Sequence, residues 1–197
     1  MHISDGVLSL EATVVVSAIS LIALIKAVKD MKNEDISLSA VASAMFFIAS
    51  FIHIPFGVTQ IHLILIGVIG LLISWSAFIA IFVALLLQAL LLGYGGIVSL
   101  GVNLFIMAMP AVIVHYIYNT KFMKKINDKV RFFLVGFIGT FFSTLFLTGI
   151  LYFSKDEYNY VAVTIFGVNI VTMIIEGIVS MFLLLFIKKV YPKILKD

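Results

Sequence analysis

The residues best equipped for chemistry in this chain are its first two. His2 directly follows Met1, which sets three nitrogens in a row: the α-amine of Met1, the backbone amide nitrogen of His2 and the His2 ring Nδ1. Together they can bind one ion, closing a five- and a six-membered ring. His2 is too large for the initiator methionine to be removed, so Met1 is expected to stay. Three nitrogens leave one corner of a square plane open, and an imidazole on the same face could fill it. His62 is the candidate, because it follows a break at Pro55 and Gly57 and is expected at the outer end of a helix. His53, near the same interface, is a reserve ligand, whereas His115, toward the other end of its apolar segment, reads as structural. Four nitrogens in a plane suit Ni(II) or Cu(II), with low-spin Co(II) also open, and disfavour Mg2+, Ca2+ and tetrahedral Zn2+. The amine, with a reference pKa of about 7.7–8.0, and the amide must each lose a proton, so affinity should fall in acid.

The elements that position these groups are expected to be membrane-spanning helices. Hydrophobic residues make up 63% of 197 positions and charged residues 12%, with a mean hydropathy of +1.23. That leaves too little polar surface for a water-soluble domain. With no cysteine, disulfides and thiolate metal sites are excluded. Apolar runs predict an all-α integral membrane protein, one domain over residues 1–197, with seven transmembrane helices. They are Val7–Ala27, Leu38–Ile54, His62–Ser74, Ala77–Leu92, Val98–Tyr118, Phe132–Phe153 and Val161–Lys188. The third and fourth are read as a tight hairpin with Trp75 at the interface, since one combined segment would overshoot a bilayer. Twelve of the thirteen basic residues fall into three groups: after the first helix, between the fifth and sixth, and in the tail. Only Lys155 stands apart. The positive-inside rule then puts the N-terminus outside and the C-terminus in the cytoplasm. The opening residues carry Asp5 and Glu11 and lack a basic leader, so no cleaved signal peptide is expected.

Polar residues inside apolar spans are costly and invite a functional reading. Gln88, Asn103 and Glu176 are candidates for orienting the metal-binding imidazoles, which usually donate their second N–H to a neighbour. Asn169 is a weaker candidate, and hydrogen bonding between helices is the plainer alternative for all four. Asp5 could balance a bound cation or cap the first helix. Gly93, Gly95 and Gly96 are expected to allow a tight turn or the close approach of the N-terminal segment. They do not cradle phosphate, because no Gly-Lys-Ser/Thr follows them.

These motifs resemble the CbiM/NikM family, the membrane substrate-binding (S) components of energy-coupling-factor transporters for cobalt and nickel. The opening Met-His-Ile-x-Asp-Gly is similar to the family's N-terminus, and Pro55–Leu63 to its Pro…Gly-Thr-Ser-x-His-Leu loop. Leu87–Gly96, continuing through Leu100–Asn103, is the most specific stretch, and Glu176-Gly177 also fits. In the loop, Thr59-Gln60-Ile61 stands where Thr-Ser-x is usual, which removes a possible serine donor but not the histidine. The resemblance implies seven helices, an N-terminus threaded into the bundle, and Co2+ or Ni2+ held by Met1, His2 and His62. It also implies a transmembrane coupling (T) subunit, two cytoplasmic ATPase subunits and, in cobalt systems, a small accessory membrane protein.

The net charge of +3 is no nucleic-acid signal, because the basic residues sit in short loops between apolar segments. The chain carries no nucleotide-binding motif, so it is expected to be a transporter subunit rather than an enzyme, captured metal being moved inward by its partners. A self-sufficient secondary carrier would show paired repeats and coupling acids at midplane, and only Glu176 lies that deep. A membrane-embedded enzyme would need a richer cluster of acids, bases or ligands than His2, His53 and His62 supply.

Overall fold

The computed structural model describes residues 2–56 and 59–195, with the side chains at positions 53–62 and 156 outside that description. Seven α-helices follow one another: α1 Leu10–Asp30, α2 Asn33–Ala49, α3 Ile66–Ile73, α4 Ala77–Leu92, α5 Leu100–Tyr118, α6 Asp128–Ser154 and α7 Asn159–Val190. One antiparallel hairpin lies between α2 and α3, formed by β1 (His53–Phe56) and β2 (Thr59–His62). It sets His53 opposite His62 in register.

Local signals explain several ends. Ser9 caps α1, its hydroxyl accepting from the Ala12 N–H. Asn127 caps α6 in the same way through Lys129. Gly93, with φ +67, ends α4 in the left-handed conformation that favours glycine. Charged Glu34 and Asp35 sit in the first turn of α2, where acids suit the helix dipole. The helix therefore begins before the apolar run that marks it in the sequence.

Packing shows which helix ends lie together. The Ser9 N–H donates to Ser154 Oγ at 2.7 Å, joining the start of α1 to the end of α6. Lys188 pairs with Asp128 at 2.6 Å, joining the end of α7 to the start of α6. The start of α1 and the end of α7 thus lie at opposite ends of α6. Trp75 Nε1 donates to Tyr116 Oη at 2.9 Å, and Lys26 Nζ stands 4.4 Å above the Trp75 ring. Gly70 packs so tightly on Ala111 that a side chain there would overlap its main chain. Hence α3 runs alongside α5 in the same direction. The chain reverses at Ser74–Ser76, a 3-10 turn with Ser74 at φ +50, and α4 returns. The main core lies between these helices and includes Phe46, Ile66, Phe78, Leu85, Ile106 and Met107.

The seven spans expected from the sequence are not matched one for one. Among the described residues five stretches are long and apolar enough to cross a membrane: Leu10–Asp30, Ile66–Leu92 (α3 and α4 taken together), Leu100–Tyr118, Asp128–Ser154 and Asn159–Val190. Two differences explain the count. With Glu34 and Asp35 in the first turn of its 17 residues, α2 keeps an apolar stretch shorter than a full span needs. The expected third helix loses its first turns, because His62 closes β2, Leu63–Leu65 are irregular, and α3 keeps only eight residues.

Candidate metal centre

The site is built where the N-terminal segment enters the bundle between α4 and α5. Ile3 is 4% exposed, and the buried Asn103 amide grips its main chain at both ends. The Ile3 N–H donates to Asn103 Oδ1 at 2.8 Å and Asn103 Nδ2 donates to the Ile3 carbonyl at 2.9 Å. Two residues on, the Asp5 N–H donates to the Gly95 carbonyl at 3.1 Å. The segment is held much as a strand would be, by main-chain polar groups that burial would otherwise leave unsatisfied.

The glycines between α4 and α5 make this entry possible. A side chain on Gly95 (φ +79) would come within 2.8 Å of Asn103 Nδ2 and 3.6 Å of His2. On Gly96 (φ +122) it would overlap the Asp5 carboxylate. Gly93 has open space around it and serves the turn. The expectation of a turn plus close approach is met, with the two tasks divided among the three residues.

His2 is fixed by its ring. Nε2–H donates to Oε1 of the fully buried Gln88 at 2.9 Å, and Tyr94 flanks it with ring centroids 6.2 Å apart. With the proton on Nε2, the lone pair lies on Nδ1, the nitrogen a chelate with the amine and amide requires. Burial, then the positive amino terminus, lower the imidazole pKa from 6.5 to about 3, while the Gln88 hydrogen bond partly opposes them. The ring is therefore neutral over the physiological range, the form that binds metal.

Asp5 has a different role from a cap on α1, which Ser9 fills. Its Oδ1 accepts from the Ser99 N–H and the Ser99 hydroxyl, each at 2.8 Å, and Oδ2 accepts from the Val98 N–H at 3.3 Å. Ser99 is the residue before α5, so Asp5 sits at the positive end of that helix. The Ser99 hydroxyl and then its backbone N–H hold the Asp5 carboxyl below the usual carboxylate range.

The other candidates separate. Glu176 is buried in α7 and accepts from the main chain of Ile64 and Leu65, contacts that the sequence does not disclose. Asn169 Nδ2 donates to the Ile165 carbonyl one turn back in its own helix, a local role. His115 stands with Tyr116 and Asn119 near the end of α5, away from the N-terminal segment. Met1 and the rings of His53 and His62 lie outside the described residues. Among the described residues no three His, Cys, Asp or Glu side chains gather into a group.

Comparisons with known proteins find relatives over nearly the whole chain. Residues 2–194 match the CbiM family, described as "Cobalt uptake substrate-specific transmembrane region". A relative from Haemophilus influenzae is 32% identical over 204 residues, covering 99% of this chain and 97% of its own. The cobalt transport protein CbiM of Clostridium tetani is 31% identical over 98% of this chain and 86% of its own. The fused nickel transport protein NikMN of Rhodobacter capsulatus is 35% identical over 55% of this chain and 33% of that longer protein. A crystal structure of a truncated transition metal transporter superposes with a TM-score of 0.80 at 27% identity, covering 96% of this chain and 99% of that one. With a matching family model over nearly the whole sequence and five apolar segments able to cross a bilayer, the chain is a multi-pass membrane protein and belongs to the CbiM family of cobalt and nickel uptake components.

Proposed function

We propose that this chain is the substrate-specificity subunit of an energy-coupling-factor importer and captures Co2+ or Ni2+ at the outer face. The ligands are the Met1 amine, the His2 amide nitrogen, His2 Nδ1 and the His62 imidazole. One observation carries the reading: the N-terminal segment is clamped inside the bundle, Ile3 by Asn103 and His2 by Gln88. A terminus that merely began a helix would not need two buried amides from two other helices. The Gln88 hydrogen bond selects the tautomer the chelate requires and raises the basicity of the ring, as partners of metal-bound histidines generally do. Asp5 brings a negative charge near the cation and is itself anchored on α5.

In this reading the N-terminus lies outside and the C-terminal tail in the cytoplasm, in line with the lysine distribution. Transport is driven by a transmembrane coupling subunit and two cytoplasmic ATPases, with a small accessory membrane protein in a cobalt system. The fused architecture named for the Rhodobacter relative fits a component that works joined to others.

The test extends the chain by a few residues before Met1 and compares metal binding with a C-terminally tagged protein. Extension turns the amine into an amide and plugs the entry between α4 and α5. Nickel and cobalt binding should be lost in the extended protein and kept in the C-terminally tagged one. Equal binding by both would overturn the chelate.

A further inference from the structure

Glu176 is a buried carboxylate that the proposed ligand set does not use. It is 1% exposed near the middle of α7, and it reaches across to the irregular segment before α3. One oxygen accepts from the Ile64 N–H, and Oε2 accepts from the Leu65 N–H at 3.1 Å. These donors sit at the start of a helix, where main-chain N–H groups lack partners within the helix itself. Leu65 has φ +53, a left-handed conformation that a branched L residue seldom adopts. The bend between β2 and α3 must therefore be held by its surroundings.

The surroundings do hold it. Gly67, in the first turn of α3, lies against α6 so closely that a side chain would overlap the Val135 main chain. A side chain on Gly139 would come within 2.9 Å of the Gly67 nitrogen. One turn earlier in α6, a side chain on Gly136 would overlap the Glu176 carbonyl. Three helices are thus locked around the start of α3, and Glu176 supplies the polar link. Half-helix N-termini in transporters commonly face an anionic group of the substrate; here the Glu176 carboxyl group takes that place. The start of α3 is consequently an anchor rather than an anion site. His62 lies two residues before Ile64.

We propose that Glu176, through its hydrogen bonds to the Ile64 and Leu65 main chain, is the positioning residue that holds His62 at the metal. This rests on the reading of His62 as the fourth ligand. Two buried N–H groups in an apolar bundle have few other acceptors, so removing the carboxylate releases the segment that carries the imidazole. It leaves the Met1–His2 chelate, held by α4 and α5, in place.

The test uses the full-length chain purified in detergent and Co2+ as the probe, followed by calorimetry and by the visible spectrum of bound Co(II). E176A should weaken binding about 10- to 100-fold, the usual cost of losing a group that orients a ligand. Its Co(II) spectrum should shift to that of H62A. The double variant H62A/E176A should bind no more weakly than H62A alone, since both changes remove one imidazole. E176Q keeps one acceptor and turns an amide N–H toward the second donor, so it should fall between, with a loss of roughly 3- to 10-fold. A wild-type spectrum and affinity in E176A, or additive losses in the double variant, would overturn the proposal while H62A still weakens binding. Wild-type binding by H62A would instead remove the His62 reading and this proposal with it. If E176A does not fold, E176Q decides alone: an intermediate loss supports the anchor, and wild-type affinity overturns it.

Discussion

In the proposed chelate His2 meets two demands, since its ring must be buried to be held and neutral to bind a metal. Burial and the adjacent positive terminus lower its pKa to about 3. A histidine in the unfolded chain takes up a proton near pH 6.5, so between those values the unfolded state holds a proton that the folded state lacks. Stability must then fall as pH drops through that window. The expected outcome is a thermal midpoint for the protein prepared without metal that declines from pH 7 to pH 5, above the carboxylate range. The decline should be smaller in His2→Ala, and equal slopes for the two proteins would contradict the assignment. If the proposed chelate holds, the same pKa means that acid weakens metal binding through the Met1 amine and His2 amide rather than through the ring. Of the residues around His2, Gln88 and Asn103 were legible in the sequence because a buried amide in an apolar helix demands a partner. Asp5 was not, because its partners lie more than ninety residues away and nothing local shows which helix a carboxylate will cap.

At the scale of elements, the join between α4 and α5 is shaped by the segment it admits. Gly93 needs only its left-handed backbone, whereas Gly96 needs both its backbone and the absence of a side chain beside Asp5. Gly93→Ala should therefore cost the turn about 1–2 kcal/mol of strain and leave metal affinity unchanged. Gly96→Ala should displace Asp5 and lower affinity about tenfold or more, on the scale seen when groups supporting a metal site are disturbed. Calorimetric titration of nickel into both variants checks this; similar affinities would show that Asp5 does not need its seat on α5. Hydropathy found the apolar elements here but not their irregular parts. Leu63–Leu65 are as apolar as a helix yet do not form one, and Glu176 on a distant helix takes the Ile64 and Leu65 N–H groups. The first turn of α2 is charged yet helical, because acids suit a helix start.

The whole molecule is a bundle that turns large apolar faces outward, Val14, Val15, Leu21 and Ile22 of α1 among them. Patches of that extent mark a membrane or partner surface. Its polar residues are spent inside, where Gln88, Asn103 and Glu176 each tie a main-chain or ring group of a separate segment to a helix. That distribution was legible in outline, since buried polar residues in apolar spans stand out from composition alone. Which segments they would tie together depended on the threading of the N-terminus and the break before α3, and neither leaves a periodic signal. On the proposed reading, the bundle is a frame around one small chelate beside the N-terminal segment that Gln88 and Asn103 hold. The most direct test is a crystal structure of the nickel-loaded protein with the metal located by anomalous scattering. The expected result is one ion about 2 Å from the Met1 amine, the His2 amide nitrogen and His2 Nδ1, with the His62 imidazole closing the plane. An ion bound elsewhere, with His2 still turned to Gln88 and unligated, would contradict it.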